Sequence, residues 1–479
     1  MRLTNGHVCL AQIHFRSIVP DSTTPPRSLG FIGYSLMVVL TIAAFLVIRS
    51  FGENLEPPTP AVPSGPSEAP LQPSDVLVHV LIALVAVIAV GQLLARLFAF
   101  VQQPPVIGEV IAGILLGPSL IGVRASAWIL PPKVAPFLGV ISQLGVILYM
   151  FIVGLELNAG LIKGRAKAAV ATSHASILVP FLLGSLLALI LYPRLSTSDV
   201  PFTNFALFVG VAMSITAFPV LARILTDLSL TRTELGVVAI SCAATDDVTA
   251  WCLLAFVVGV AQAQLGKGLI VVAGTVAYIA AMLFIVRPLV VRLARHPSAI
   301  RLSRTAAGIV FVMLLASALA TELIGIHAIF GAFLLGALVP HDSDFARDFA
   351  RRTEQIVTVL LLPAFFALTG MRTRIDLLTG VGPWLLCGVI ILVATIGKFG
   401  GTFAAARLTG LGWRDAAALG ALMNTRGLME LIVLNIGLDL GVISPTLFAM
   451  MVLMALATTM LTSPVVRSLV HVGPGAGST

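Results

Sequence analysis

The stretch Leu235–Ala261 reads LGVVAISCAATDDVTAWCLLAFVVGVA and places two adjacent carboxylates, Asp246 and Asp247, near the middle of an apolar segment. As a helix, this segment is long enough to cross a hydrocarbon core of roughly 30 Å. An ionised carboxylate at that depth costs on the order of 3 kcal/mol on insertion scales, so such residues are rare and mark functional sites. Two of them side by side indicate either a site of function or a buried partner.

The composition of the whole chain is that of a membrane protein. Of its 479 residues, 58% are hydrophobic and 10% are charged, and the mean hydropathy is +1.05. Soluble domains carry about 25% charged residues, so a soluble globular fold is excluded. A net charge of +8 would suggest nucleic acid in a soluble protein, but here the basic residues lie in short loops between apolar segments. We interpret them as topology signals and predict no nucleic-acid partner.

Fourteen apolar segments predict an all-α integral membrane protein embedded in the lipid bilayer. The first, Leu29–Ile48, is either a signal peptide or an extra helix, and the Pro-rich stretch from Glu53 to Pro73 after it is an extended linker. We divide the chain into an N-terminal part (1–75), a transmembrane domain (76–470) and a short tail (471–479). The thirteen segments of the transmembrane domain are Val76–Phe98, Val106–Gly122, Pro136–Leu155, Ala168–Tyr192, Asn204–Leu225, Leu235–Ala261, Leu269–Leu293, Thr305–Ile326, His327–Pro340, Ile356–Met371, Pro383–Leu408, Ala416–Leu438 and Val442–Val470.

The Lys and Arg residues concentrate on one side of the predicted topology. The largest contribution comes from one loop on the side that holds both termini, and it carries Arg287, Arg292, Arg295, Arg301 and Arg304. By the positive-inside rule this side is cytoplasmic. We therefore predict a multi-pass protein of the cell (inner) membrane with a cytoplasmic C-terminus and an external Pro-rich linker.

Two later stretches repeat earlier ones in the same order. Gly108–Pro118 (GEVIAGILLGP) resembles Gly325–Pro340 (GIHAIFGAFLLGALVP), and Met150–Asn158 (MFIVGLELN) resembles Phe366–Arg374 (FALTGMRTR). An odd number of helix ends separates the first pair, so the two copies face opposite ways across the bilayer. This pattern is typical of secondary transporters built from inverted repeats, in which the substrate site lies at the midplane between the repeats.

Lys398 is the candidate partner of the acidic pair. It lies centrally in Pro383–Leu408, and Gly397, Gly400 and Gly401 beside it allow another backbone to come close. Neighbouring residues on a helix point about 100° apart, so one lysine cannot easily pair with both carboxylates. One interpretation is a static ion pair that holds helices together. The other is a proton device, because burial favours the neutral forms of a carboxyl and an ammonium group, and binding of a cation then displaces protons.

Two other segments combine polar residues with helix breakers at a similar depth. The candidate residues are Ser214, Thr216 and Pro219 in Asn204–Leu225, Asn424, Arg426, Gly427 and Glu430 in Ala416–Leu438, and Thr245 beside the acidic pair. Unwound backbone is tolerated in a bilayer only beside protein or a water-filled cavity, and its free carbonyls are oxygen ligands suited to Na⁺ or K⁺. For Pro219 a simple kink is the alternative. Arg426 and Glu430, four residues apart, either neutralise each other or act in gating.

Two nucleotide-binding motifs are missing from the sequence, so neither energy from ATP nor regulation by an attached nucleotide-binding domain is indicated. It contains no GxxxxGK[ST] and no strand-associated GxGxxG. We predict no enzyme, no catalytic residue and no cofactor, so that any transport is driven by an ion gradient.

The sequence resembles the monovalent cation:proton antiporter-2 family of the sodium/proton exchanger superfamily, over roughly residues 76–470. The motifs that carry the resemblance are Asp246-Asp247, Lys398, LGVILYMFIVGLELN from Leu144, SITAFPVLARIL from Ser214 and NTRGLMELIVLNIG from Asn424. The resemblance implies a thirteen-helix fold with a dimer domain, a moving core domain and two crossed discontinuous helices, assembled as a homodimer. Leu29–Ile48 lies outside this plan.

The resemblance also implies a site and a mechanism. Asp247 would bind the monovalent cation or the proton, and Asp246 would pair with Lys398. Exchange of Na⁺ or K⁺ for protons would then be electrogenic and of the elevator type. The alternatives are a cation channel, a membrane protein that senses ions without transporting them, and a solute symporter of similar fold.

Overall fold

In the computed structural model the described residues are 27–58, 73–129, 131, 134–156, 166–231, 233–262, 268–294, 304–340 and 343–470. All regular structure in these ranges is helical and none of it is strand, so the prediction of an all-α membrane protein is confirmed. Among these residues, eleven helical stretches are long and apolar enough to span a membrane, one bent pair of helices adds a twelfth candidate, and two apolar helices are shorter. Each apolar segment predicted from the sequence contains a helix, while the number of membrane crossings stays a prediction.

The described helices are numbered here in chain order. Those of the first half are α1 (Arg27–Gly52), α2 (Pro73–Phe100), α3 (Pro105–Leu116), α4 (Val123–Ile129), α5 (Ala135–Glu156), α6 (Ala166–Leu195), α7 (Phe202–Ser214), α8 (Phe218–Asp227) and α9 (Glu234–Gln262). Those of the second half are α10 (Gly268–Ala281), α11 (Arg287–Ala294), α12 (Arg304–Ile324), α13 (Ala328–Leu338), α14 (Asp344–Ile356), α15 (Leu362–Arg372), α16 (Val381–Thr395), α17 (Gly401–Leu408), α18 (Trp413–Met423), α19 (Leu428–Asp439) and α20 (Pro445–Leu469). Short π-helical stretches join α10 to α11, α14 to α15 and α16 to α17.

The N-terminal part of the chain contributes one long helix to the described structure. The predicted segment Leu29–Ile48 falls inside α1, which packs against α6 and α7. Most of the predicted linker (59–72), the tail (471–479), and Arg295 and Arg301 of the basic loop lie outside the described residues.

The interhelix contacts divide most of the helices into two groups. In the first group α5 packs on α13, α3 packs on α2 and α15, and α12 packs on α13. In the second group α6 packs along α7 and also contacts α9 and α17, while α16, α18 and α19 pack on α20. The contacts do not test the predicted division into a dimer and a core domain, which stays a prediction.

Two close helix crossings in the first group join the stretches that resemble each other in sequence. At the crossing of α3 and α15, Gly113 lies against Gly370, and a Cβ on Gly113 would come within 2.6 Å of the Phe366 carbonyl oxygen. At the crossing of α5 and α13, a Cβ on Gly336 would come within 3.0 Å of the Gly154 Cα. The first early stretch therefore packs on the second late one, and the second early stretch on the first late one. Two-fold related elements pair in this reciprocal way, which supports the predicted inverted repeat.

The segment Asn204–Leu225 is a broken helix. α7 ends at Ser214, the backbone is extended at Ile215 and Ala217, and α8 begins after this break. Pro219 lies in the first turn of α8, where a missing N–H is no loss because the first N–H groups of a helix have no helical acceptor. Pro219 thus begins a second helix and does not merely kink a continuous one.

The segment Ala416–Leu438 is also broken, and the two breaks cross. α18 and α19 meet at an angle of 42°. The Ala217 N–H donates to the Thr425 carbonyl at 2.9 Å, which joins one break to the other. Gly427 permits the close approach, because a Cβ there would lie 2.7 Å from Val220 Cγ2. The crossing brings together the C-terminal ends of α7 and α18 and the N-terminal ends of α8 and α19.

Replacing Gly370 by alanine is expected to lower the melting temperature, because the added methyl group would meet the α3 backbone. Overpacking of this kind costs about 1–3 kcal/mol. The matched control is Gly388→Ala on α16, where nothing lies within 4 Å of an added Cβ. Thermal unfolding of both variants in detergent, followed by size-exclusion chromatography, measures the difference. A Gly370→Ala protein as stable as the wild type would contradict the close crossing.

Candidate functional site

Asp246 on α9 is completely buried among polar partners from other segments. Lys398 Nζ and Thr216 Oγ1 each donate to its Oδ2 at 2.8 Å. Ser173 Oγ donates to Oδ1 at 2.6 Å, and Ser176 Oγ lies 2.9 Å from Oδ2. Hydrogen bonds to a carboxylate are about twice as strong as those between neutral groups, which matters where no water is present. Ser176 Oγ also lies 2.7 Å from the Ser173 carbonyl oxygen, so the Asp246 charge is matched by one cationic group and two hydroxyls, and the Ser176 hydroxyl is shared with its own helix.

Lys398 reaches Asp246 because its helix lies unusually close to α6. It belongs to the π-helical stretch Ile396–Gly400, whose Gly397 would meet the Pro180 backbone at 2.9 Å if it carried a Cβ. Gly401 is similarly close to α6, whereas Gly400 has open space beside it. Lys398 Nζ also donates to the Ser214 carbonyl at the C-terminal end of α7. Two of the three glycines noted in the sequence thus permit the predicted approach.

Asp247, next to Asp246, has a different environment. Its side chain is 2% exposed and lies near the backbone N–H of Phe218, the first residue of α8. A helix N-terminus carries a partial positive charge and free N–H groups, so it stabilises a carboxylate only in part. Within the described ranges no basic side chain forms an ion pair with Asp247, because Lys398 is directed at Asp246. The two adjacent carboxylates are therefore electrostatically unequal.

Arg426 and Glu430 form a second buried ion pair at 3.0 Å. The Arg426 guanidinium also donates to the carbonyls of Ala212 at 2.9 Å and Met213 at 2.6 Å, near the C-terminal end of α7. Glu430 lies in the first turn of α19. A cation at a helix C-terminus and an anion at an N-terminus both match the helix dipole. These contacts support mutual neutralisation, and the gating role stays a prediction.

The remaining side chains predicted as ligands differ in the groups to which they form hydrogen bonds. Ser214 Oγ and Thr245 Oγ1 each donate to a carbonyl of their own helix, at 2.7 and 2.9 Å. Thr216, in contrast, faces Asp246. Asn424 ends α18, and its Oδ1 is buried without a hydrogen-bond partner in the described part of the chain. Of the predicted hydroxyls, only that of Thr216 therefore bonds to the acidic pair.

Sequence reasoning missed Ser173 and Ser176, which lie three apart on one face of α6. Their signal is a pair of hydroxyls inside an apolar membrane segment. Such hydroxyls often bond to their own helix, so the sequence alone does not show that they face Asp246. It also missed Thr459 on α20, whose Oγ1 accepts the Arg426 N–H at 2.9 Å and so satisfies backbone freed by the break.

A cavity of about 270 Å³ lies between the two groups of helices. Its polar lining consists of Ser142, Gln143, Glu322, His327, Arg372, Asn435 and Asp439. Arg372 Nη1, on α15, donates to Asn435 at 3.0 Å and to Asp439 at 2.8 Å, both on α19. These contacts tie the first group to the second at the end predicted to be external. Neither Asp246 nor Asp247 lines this cavity.

A bundle of apolar helices in which two broken helices cross beside buried charges has the architecture of a secondary transporter. The chain belongs to the sodium/hydrogen exchanger family, because the family model described as "Sodium/hydrogen exchanger, transmembrane" matches residues 80–471. This match confirms the resemblance drawn from the motifs. All the predicted site residues lie inside the match, and α1 lies outside it.

Relatives from a cyanobacterium, a plant and a yeast are similar to this chain in sequence. The Na(+)/H(+) antiporter NhaS4 of Synechocystis sp. is 43% identical over 82% of this chain and 97% of its own length. Cation/H(+) antiporter 20 of Arabidopsis thaliana is 40% identical over 80% of this chain and 47% of its own length. K(+)/H(+) antiporter 1 of Saccharomyces cerevisiae is 34% identical over 77% of this chain and 44% of its own length. The chain thus spans less than half the length of the plant and yeast relatives.

A solved structure has a similar fold. The sodium proton antiporter MjNhaP1 of Methanocaldococcus jannaschii superposes with a TM-score of 0.54, over 81% of this chain and 97% of that one. The sequence identity is 15%, so this likeness concerns the fold alone.

Replacing Lys398 by methionine is expected to destabilise the protein, because it leaves the buried Asp246 carboxylate without its cation. Removing one partner of a buried ion pair costs about 3–5 kcal/mol. The double variant Asp246→Asn with Lys398→Met is expected to recover part of this loss. The control is Arg352→Gln, which breaks a solvent-exposed pair worth about 0–1 kcal/mol. Melting temperatures in detergent compare the three, and a Lys398→Met protein no less stable than the control would contradict the assigned pair.

Proposed function

We propose that the protein is a secondary active antiporter that exchanges a monovalent cation, Na⁺ or K⁺, for protons across the cell membrane. The observation that carries the proposal is the inequality of the acidic pair: Lys398 compensates Asp246, whereas Asp247 has only a helix N-terminus beside it among the described residues. A buried carboxylate without a full counter-charge favours binding of a proton or a cation. Exchange requires that the proton and the cation bind the same carboxylate, here Asp247, one at a time.

The relatives support this proposal by their names. The cyanobacterial relative is named a Na(+)/H(+) antiporter and the yeast relative a K(+)/H(+) antiporter. The proposal therefore includes both Na⁺ and K⁺ as the exchanged cation. Selectivity between them depends on the number and placement of the oxygen ligands around the ion. In addition to Asp247, the candidate ligands are the Thr216 hydroxyl, carbonyls at the crossing of the broken helices, and the Asn424 side-chain oxygen. That oxygen has no hydrogen-bond partner in the described part of the chain.

We infer an elevator-type movement in which the second group of helices, which holds the site, moves against the first. The first group then forms the contact between two copies in a homodimer. The contacts of Arg372 with Asn435 and Asp439 join the two groups, so they break and form again in each cycle. Exchange is electrogenic if the Asp246–Lys398 pair releases a proton together with Asp247, since more than one proton is then exchanged per cation. The basic loops face the cytoplasm, as does the C-terminus.

Replacing Asp247 by asparagine is expected to abolish exchange, because an amide neither binds a proton nor compensates a cation. The measurement is the dye-reported dissipation of an imposed pH gradient in everted vesicles after addition of Na⁺, K⁺ or Li⁺. The control is Asp227→Asn at the exposed end of α8, which should exchange like the wild type. Unchanged exchange by Asp247→Asn would defeat the site. A wild-type protein that conducts cations without dissipating the pH gradient would be a channel.

The apparent cation affinity is expected to fall as the pH is lowered. A proton and a cation compete for the Asp247 carboxylate. In the pH range where this carboxylate is mostly protonated, each decrease of one pH unit raises the apparent KM for the cation by up to about tenfold, if one proton competes. Initial rates in proteoliposomes, with equal pH on both sides and a range of cation concentrations, measure this KM. The maximal rate should change less than the KM. A KM that is the same at acid and neutral pH would contradict competition at one carboxylate.

A further inference from the structure

The helix α1 lies outside the family match at residues 80–471, yet it is joined to the group of helices that holds the site. Near its beginning, the Tyr34 ring contacts the His174 ring edge to face, with centroids 5.2 Å apart. Further along, the Phe45 and Phe181 rings lie 5.7 Å apart. Edge-to-face and tilted aromatic pairs add to the area that a helix contact buries. The two aromatic residues that α1 contacts here, His174 and Phe181, both belong to α6.

The end of α1 is held by a second set of contacts, this time to α7. Gly52 lies directly against the Phe202 ring, where any larger residue would clash. The Glu53 carboxylate accepts hydrogen bonds from Arg49 at 2.7 Å and from Thr203 at 3.3 Å. The hydrogen bond from Arg49 lowers the pKa of Glu53, so this carboxylate is ionised at neutral pH. These contacts attach α1 and the residue after it to the second group between Tyr34 and Glu53.

One helix, α6, lies between α1 and the ion site and contacts both. His174, which Tyr34 contacts, lies between Ser173 and Ser176, the two residues whose hydroxyls face Asp246. The opposite side of α1 is apolar and exposed, as expected of a surface that faces lipid. Its exposed side chains include Leu36, Val39, Leu40, Ile42, Leu46 and Val47.

The length of α1 favours a membrane helix over a signal peptide. Its apolar span Gly33–Gly52 covers 20 residues, whereas the apolar region of a signal peptide has roughly 7–15. A helix of this length crosses the hydrocarbon core of a bilayer. The apolar run that the sequence leaves open as signal peptide or extra helix therefore has the length and the packing of the latter.

We propose that α1 is retained in the mature protein as an accessory helix of the second group, fixed to α6 and α7, and that it moves with them during exchange. The movement rests on the proposed elevator mechanism, whereas the retention does not. α1 then adds a lipid-facing layer to the part of the protein that slides through the bilayer. It keeps α6, which supplies two hydroxyls to Asp246, out of contact with lipid on that side.

The test uses reducible thiol cross-links in the full chain, with its four native cysteines replaced by alanine. One variant carries Phe45→Cys and Phe181→Cys, which bridges α1 to α6. The matched variant carries Arg372→Cys and Asp439→Cys, which bridges the two groups of helices. Cation-dependent proton flux in proteoliposomes is measured before cross-linking, after it and after reduction, and the intact mass of each purified protein is recorded.

Bridging α1 to α6 is expected to leave exchange within about twofold of its starting rate, while bridging the two groups stops exchange until the link is reduced. Loss of exchange on bridging α1 to α6 would overturn the proposal that α1 moves with its neighbours. Continued exchange with the two groups bridged would instead refute the elevator mechanism. An intact mass that shows cleavage after Gly52 would overturn the retention of α1 whatever the flux results.

Discussion

The site depends on one constraint: where two helices break inside a bilayer, lipid cannot satisfy the freed backbone groups, so protein groups or a water-filled cavity must do so. At the end of α7, the Ser214 carbonyl accepts a hydrogen bond from Lys398, and the two carbonyls before it bind Arg426. At the beginning of α8, the Phe218 N–H lies near Asp247. The charged side chains stabilise the broken backbone, and the broken backbone stabilises the charges. Neither the breaks nor the buried charges would be stable in the membrane without the other.

This mutual dependence explains why the two aspartates differ. Lys398 Nζ donates to the Ser214 carbonyl and to Asp246, so its direct ion pair is with Asp246, and it acts on Asp247 only through space. The hydroxyls of α6 add to the compensation of Asp246 and contribute nothing to Asp247. A carboxylate with a direct counter-charge and a carboxylate without one can therefore lie on adjacent residues of one helix. The Asp246–Lys398 ion pair and the Asp247 carboxylate, which is proposed to exchange, are two parts of the same arrangement.

The rest of the fold packs beside the group of helices that holds the site. In the first group, the glycine crossings at Gly113 and Gly336 bring backbones into direct contact, which gives a close-packed scaffold without large side chains. Between the groups, the polar contacts of Arg372 surround a cavity, so this boundary is less tightly packed than either crossing. The extra helix α1 lies on the far side of the second group. Two close glycine crossings, a polar boundary and a second group that holds the site are consistent with the proposed elevator movement.

The sequence by itself determined the membrane class, the helical segments, the positions of both helix breaks and the choice of Lys398 as the partner, since apolar length, proline, glycine and isolated charges are local signals. It did not determine which aspartate that lysine reaches, although the family resemblance implied Asp246. Nor did it show that Ser173 and Ser176 face the site while Ser214 bonds to its own helix. These features depend on how each helix is rotated about its axis and on contacts such as that between Lys398 and Asp246, 152 residues apart in the chain. Only the packed tertiary structure fixes those rotations, because each of them is set by neighbours that a local pattern does not contain.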